Sequence, residues 1–253
     1  MGILNVTPDS FSDGGKFNQI DAALKHAEEM IRDGADVIDI GGESTRPWGY
    51  TKISDEEETG RVVPVIEAVK KEFGIPISVD TYKSGVAEAA QAGADLINDI
   101  WGLKYDPHMS EVIAKSGLAC CLMHNRDNTE YRNFMEDMKQ DLRETIALAK
   151  AAGIADDKII LDPGVGFAKS YENNLEVIRR LKEFNELKYP VLLGTSRKSV
   201  IGLTLDLPAA ERVEGTIVTT VMAVEAGCMF VRVHDVKENH RAIQMAEAIL
   251  DRK

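Results

Sequence analysis

Hydrophobic residues along this chain fall into two alternating textures. Short runs rich in Val, Ile and Leu recur at 3–6, 36–40, 76–80, 95–98, 118–123, 158–162, 190–194 and 229–233, the length of ordinary strands. Between them, at 20–32, 55–71, 83–91, 107–116, 134–151, 171–184, 209–225 and 236–250, apolar residues return every three or four positions, the period of a helix with one buried face. The strand runs are apolar throughout rather than alternating, which marks strands covered on both sides, as in a parallel sheet. Gly34, Gly93, Gly117 and Gly227 each stand just before a predicted strand, where a left-handed glycine ends the preceding helix. Eight strand–helix units in 253 residues predict an α/β chain forming one domain over 1–253, a (β/α)8 TIM barrel. An open doubly wound sheet is the competing arrangement, but no strand reads as an edge. One local conflict is Gly60 inside the second helical pattern, where glycine costs about 1 kcal/mol relative to alanine.

Charge narrows the possible partners. With 30 Lys+Arg against 42 Asp+Glu the formal net charge is −12, which argues against nucleic acid and anionic membrane surfaces. No apolar run approaches the ~20 residues of a bilayer span, and the first residues lack the basic and apolar segments of a secretory signal. Three cysteines, two of them the adjacent Cys120 and Cys121, do not make a disulfide framework. The expected compartment is therefore reducing, the cytoplasm. Adjacent cysteines on a strand point to opposite faces, so Cys120, Cys121 and His124 are not expected to share a metal. Gly164-Val165-Gly166 lacks the third glycine of a dinucleotide fingerprint and follows the wrong strand. Glu56-Glu57-Glu58 reads as the solvated first turn of a helix, where the dipole favours acids.

Candidate chemistry collects at one end of the predicted strands. Successive strands finish in Asn5, Asp39 with Glu43 beyond it, Asp80, Asn98 with Asp99, His124, Asp162, Ser196-Arg197-Lys198, and Arg232 with His234. In a barrel these ends converge on one mouth, where such folds do their chemistry. Asp80, Asn98 and Asp162 offer acceptors and one amide, and Lys198 adds a cation, a set suited to a planar heterocycle with several N–H and carbonyl groups, such as a pterin or purine. Asn5, Arg46, Arg232 and His234 form a second set, neutral or positive, suited to phosphate or pyrophosphate. The segments 7–18 and 43–54 are rich in turn residues and have the length and composition of functional βα loops.

The segments MGILNVTPDSFSDGG, DVIDIGGESTRP, SVDTYK, INDIWG, LDPGVGF, LLGTSRKS and VRVHDV, in this order, resemble dihydropteroate synthase across the chain. The resemblance implies condensation of 6-hydroxymethyl-7,8-dihydropterin pyrophosphate with para-aminobenzoate, in folate biosynthesis, and a sulfonamide target. It places Asp80, Asn98, Asp162 and Lys198 around the pterin, with Ile100, Met123, Phe167 and Gly194 lining its slot. It assigns Thr45, Arg46, Arg232 and His234 to the diphosphate, and Asn5 to Mg²⁺ on that diphosphate. Phe11, Pro47, Phe167, Lys198 and Ser199 would border the aminobenzoate, and Asp13 would complete the closed site. Asp13, Asp162, Lys198 and Arg232 are the expected catalytic group, and a homodimer is the expected assembly. Trp48, between Pro47 and Gly49, departs from the family pattern, which commonly runs straight to glycine. Two rivals remain: a pterin-dependent methyltransferase barrel, disfavoured by SDGG and SRKS, and a barrel that binds pterin without turnover.

Overall fold

The structure, a computed structural model, describes residues 1–7, 16–44, 52–91 and 93–251. Among these residues the eight expected strands are β1 (Gly2–Asn5), β2 (Ile38–Gly41), β3 (Ile77–Asp80), β4 (Leu96–Asp99), β5 (Ala119–Met123), β6 (Ile159–Asp162), β7 (Leu192–Leu193) and β8 (Phe230–Val231). Strands β1 to β6 pair in parallel, in chain order, and β7 pairs in parallel with β8. Single bridges, Leu161 to Val191 and Gly2 to Val233, join the two sheets into a closed ring. The open-sheet alternative is thereby excluded.

The helices are α1 (Lys16–Arg32), α2 (Asp55–Phe73), α3 (Ser84–Ala90), α4 (Met109–Ser116), α5 (Phe134–Ala151), α6 (Tyr171–Arg179), α7 (Ser199–Leu205), α8 (Val213–Ala226) and α9 (Val236–Ile249). Ser54 caps α2 by accepting the Glu57 N–H at 3.2 Å, four acidic residues occupy the first turn, and Gly74 ends the helix in the left-handed conformation. Gly34, Gly117 and Gly227 take the expected left-handed conformation; Gly93 does not. Its lack of a side chain serves packing instead, because a Cβ there would stand 2.6 Å from Ile66 Cγ2.

Three helical boundaries depart from the periodic reading. The pattern at 171–184 breaks at Arg180 into a 3₁₀ segment, Leu181–Leu187. The pattern at 209–225 opens with a 3₁₀ turn, Ala209–Glu211, before α8 begins. Helix α7 was not expected, since seven residues interrupted by Gly202 give a weak signal. The glycine is required there: a Cβ would meet the Arg212 guanidinium, which crosses the helix to reach the carbonyls of Leu207 and Arg197.

Side-chain alternation along the strands separates two apolar regions. Leu4, Ile38, Ile40, Ile77, Val79, Ile97, Cys120, Leu122, Ile159, Leu161 and Leu193 face outward into the main core beneath the helices. Met1, Leu96, Cys121, Ile160 and Leu192 pack with Val37 and Phe230 as a plug inside the ring. Two residues beyond the plug, on the same inward face, the strands carry Asp39, Asn98, Met123, Asp162, Gly194 and Arg232. Asp80 has the same parity, opposite to the outward Val79. The fold thus turns a period of two in sequence into a polar floor above an apolar plug.

Glu58 corrects the reading of 56–58 as a solvated turn. It is 1% exposed, and its carboxylate and that of Glu43 each lie 2.7 Å from Lys83 Nζ. Glu43 also accepts the Ile53 N–H and the Tyr82 hydroxyl hydrogen. Helical rotation carries Glu58 inward while Glu56 and Glu57 stay exposed, and Lys83 supplies the charge that makes its burial tolerable.

Candidate active site

The expected pterin residues meet at the C-terminal mouth of the ring. Asp80, Asn98, Asp162, Ile100, Met123 and Gly194 are all buried there. Arg232 donates from Nε to Asp39 Oδ2 at 2.5 Å and from Nη2 to Asp80 Oδ2 at 2.6 Å. Asn98 approaches the same Asp39 oxygen at 3.5 Å. A methyl group added to Gly194 would lie 3.6 Å from Asp162 Oδ2, 3.9 Å from Lys198 Nζ and 4.0 Å from Arg232 Cβ. Five side chains drawn from β3, β4, β6, β8 and the turn after β7 therefore reach one small volume.

The electrostatics follow from burial. Desolvation pushes the Asp80 carboxyl up to about 7, against the attraction of Arg232 and with the repulsion of Asp39. Asp162 is raised for the same reason, opposed by Lys198, by the Gly164 N–H and by Lys169. Burial brings Lys198 down to about 8, opposed by Asp162. Burial also works against the charge on Arg232, but Asp39 and Asp80 hold its pKa above the ordinary value. Among the described residues, Asp80 Oδ1 and Asp39 Oδ1 are buried without a hydrogen-bond partner. Such acceptors are costly unless a donor meets them, and a heterocycle edge rich in N–H groups is a donor of the right shape.

An apolar wall stands beside this polar floor. Tyr82, Ile100 and Met123 cluster with Trp101 and Phe167. Lys198 Nζ lies 4.8 Å from the centre of the Phe167 ring and donates to the Val165 carbonyl at 2.5 Å. The mouth therefore sets an apolar cluster beside buried acids, the mixed lining of a small-molecule site.

The anion set is partly visible. Asn5 ends β1 on the inward face with its side chain exposed. Ser196 Oγ accepts the His234 backbone N–H at 3.1 Å and lies 3.0 Å from His234 Nδ1. Ser196 thus ties both the backbone and the ring of His234 to the turn after β7. Ser199 is exposed at the start of α7. Asp13, Phe11, Thr45, Arg46 and Pro47, and also Trp48, lie outside the described residues.

Sequence reasoning missed several participants. Asp39 was read only as a polar strand end, yet it anchors Arg232. Tyr82 and Trp101 complete the apolar wall. Lys169 and Asp141 bracket His124 beneath the turn that bears Phe167. Parity with Val37 could have placed Asp39 inward; nothing local marks Lys169 or Asp141.

Among the described residues no group of three or more His, Cys, Asp or Glu is gathered as for a metal, and no helix is long and apolar enough to cross a membrane. A family model described as pterin binding enzyme matches residues 1–234. A dihydropteroate synthase from Clostridium beijerinckii is 63% identical over 254 residues, covering 100% of this chain and 94% of that protein. The crystal structure of dihydropteroate synthase from Clostridium difficile in the presence of pteroic acid superposes with a TM-score of 0.97 at 53% identity, covering 100% of this chain and 96% of that one. The Yersinia pestis dihydropteroate synthase in a sulfonamide drug complex gives a TM-score of 0.93 at 45% identity, covering 99% and 94%. A closed parallel ring, a polar floor at its C-terminal mouth and full-length similarity to these enzymes lead to one assignment: the chain belongs to the dihydropteroate synthase family of pterin-binding enzymes.

Proposed function

We propose that this protein joins 6-hydroxymethyl-7,8-dihydropterin pyrophosphate to para-aminobenzoate, giving 7,8-dihydropteroate and free pyrophosphate. The observation that carries the reading is the convergence of Asp162, Lys198 and Arg232 within 4.0 Å of a methyl group added to Gly194, beside Asp80 Oδ1, which has no partner among the described residues. Asp80 and Asp162 accept N–H groups from the pterin edge, Asn98 reads a donor and an acceptor, and Lys198 donates to a ring acceptor. Ile100, Met123, Phe167 and Gly194 line the slot that takes the ring.

The bond that breaks joins the pterin methylene to the diphosphate oxygen. Electrons of that bond leave with the diphosphate, and the methylene carbon becomes cationic, with charge spread into the pterin. Asp162 and Asp80, fixed against the ring, stabilise that positive charge more than they stabilise the neutral ground state. His234 and Arg232, with Arg46 and Thr45, are assigned to the oxygens that gain negative charge. The aminobenzoate nitrogen then bonds to the methylene carbon and loses one proton to solvent, giving the secondary amine. Phe167, Lys198 and Ser199, with Phe11 and Pro47, hold the aminobenzoate near that carbon, and proximity supplies much of the rate. Asp13 completes the closed site and excludes water, which would otherwise take the place of the amine.

Mg²⁺ fits Asn5 as a single exposed amide ligand, because this ion keeps several waters and takes its remaining oxygens from substrate phosphates. When bound it neutralises charge on the departing diphosphate. The protein acts in the cytoplasm as a homodimer. The large apolar side chains left exposed on the last three helices, Leu203, Leu205, Val218, Met245 and Ile249, support a second copy as the cover.

The test is to follow pyrophosphate and dihydropteroate formation with both substrates and Mg²⁺ present. Equal release of the two products is expected. Pterin binding with no pyrophosphate release at any aminobenzoate concentration would make the protein a binder without turnover.

A further inference from the structure

The turn after β6, residues 163–168, carries Phe167 and follows Asp162 directly. It is an unusual piece of backbone. Gly164, Gly166 and Ala168 all have positive φ, at 68°, 89° and 48°. A Cβ at Gly164 would stand 2.1 Å from the His124 carbonyl oxygen, so the turn lies tightly over the end of β5. Its carbonyls are held by side chains from several directions. Lys198 takes Val165 O on the mouth side, and the Tyr131 hydroxyl donates to Ala168 O at 2.9 Å.

Lys169 holds the turn from the opposite side. Its ammonium has three hydrogens and three acceptors: Gly164 O at 2.9 Å, Phe167 O at 2.8 Å and His124 Nδ1 at 2.9 Å. An ammonium only donates, so Nδ1 accepts and the His124 proton sits on Nε2, which faces Asp141 Oδ2 at 2.9 Å. Arg126 Nε donates to that same Asp141 oxygen at 2.5 Å. The His124 side chain has no exposed surface. A carboxylate, a neutral imidazole and an ammonium thus form a line running from α5 to the underside of the turn.

We propose that Lys169 is a positioning residue for the reaction: aligned by His124 and Asp141, its ammonium fixes the Gly164 and Phe167 carbonyls, and so sets the Phe167 ring and the charge beneath Asp162. The inference rests on the synthase reading, since Phe167 matters only if the two substrates meet beside it. The electrostatics agree with the geometry. Crowding by protein atoms brings Lys169 down to about 7, with Asp162 and Asp141 opposing that shift and Lys198 and Arg126 adding to it. Burial and Lys169 lower His124 to about 4, which keeps the imidazole neutral as the relay requires. Below its own pKa Lys169 fills all three acceptors; above it one donor is lost and the turn is released on one side.

Two variants test this against a parent already shown to release pyrophosphate. Lys169→Met is expected to lower kcat on the order of 100-fold, the scale of a displaced positioning group, while circular dichroism stays at the parent spectrum. Asp141→Asn retains an oxygen to accept from His124 but removes the negative charge that supports the ammonium. It is expected to move the alkaline limb of kcat/KM to lower pH, a shift that loss of packing alone does not produce. Lys198 titrates in both proteins and cancels in the comparison. A folded Lys169→Met with parental kcat, or an Asp141→Asn limb coincident with the parent's, overturns the proposal. If Lys169→Met does not fold, the Asp141→Asn profile decides. Failure of the synthase reading looks different, because the parent itself then releases no pyrophosphate.

Discussion

Arg232 and Asp39 stand 193 residues apart in the sequence, and the guanidinium Nε lies 2.5 Å from the Asp39 carboxylate. The pair joins the last strand to the second across the interior of the ring, and Arg232 spans onward to Asp80. Asp39 has no exposed side-chain surface and Arg232 keeps 18% of its own. Removing Asp39 leaves Arg232 its hydrogen bond to Asp80 but takes away one of the two acids that offset its burial. Asp39→Ala is expected to cost about 1.5–3 kcal/mol of unfolding free energy, the worth of a hydrogen bond to a charged group, and to lower turnover by loosening the orientation of Arg232. Urea unfolding checks the first effect and steady-state kinetics the second. An unchanged midpoint would mean that solvent screens the pair.

Asp162 has one oxygen fixed by the Gly164 N–H at 2.7 Å and the other beside Gly194. The second oxygen is the one available to a ligand. Asp162→Ala is expected to weaken pterin binding by about 1.5–3 kcal/mol, the worth of a hydrogen bond to a charged group. Titration calorimetry with the pterin diphosphate reads this directly, and parental affinity would remove Asp162 from the pterin's contacts.

Lys198 gives a pH signature. Its pKa falls from 10.5 unfolded to about 8 folded. Between those values the unfolded chain holds more protons than the native one, so this group makes stability rise with pH across that window. Below about 8 the cost of burying the charge is present in full. Lys198→Met is expected to lose that rise. Comparing urea midpoints of parent and variant at the two ends of the window tests the sign, and parallel slopes would contradict it.

Gly60 lies in α2, exposed, with no atom of the described residues within 4 Å of an added Cβ. Nothing in the structure requires glycine there. Gly60→Ala is expected to stabilise the protein by about 0.5–1 kcal/mol through the unfolded chain's lost freedom, seen as a higher melting temperature with unchanged kinetics. A lower melting temperature would point to a contact outside the described residues.

Val218 is 59% exposed on α8, and α7 and α9 leave further apolar surface uncovered. Light scattering is expected to give twice the 27.8 kDa chain mass, and Val218→Glu to return it toward the single chain. A parent that scatters as one chain ends the homodimer proposal.

Much of this architecture was legible because strand periodicity and strand-end chemistry are local. Leu96 to Asn98, Ile160 to Asp162 and Phe230 to Arg232 each read as an apolar residue followed, two places on, by a polar one, and the ring places each pair inward. Legibility ended where a residue's surroundings depend on distant chain. Glu58 looks like its exposed neighbours Glu56 and Glu57 until Lys83, 25 residues later, is packed against it. Lys169 resembles any surface lysine until the turn folds over β5. Helix α7 is too short to announce itself, and Gly93 was misread because a glycine needed for close packing and one needed for left-handed backbone look alike in sequence.

The ring is sewn unevenly. Continuous ladders run from β1 to β6, while single bridges attach the β7–β8 pair on either side. The acids Asp39, Asp80 and Asp162 ride on the longer arc; Lys198 and Arg232 ride with the shorter pair. Attraction across the mouth therefore stitches two seams that few backbone bonds hold. Amide exchange at the seams should report on those charges, and any molecule that takes over their partners also takes over part of the work of keeping the cylinder shut.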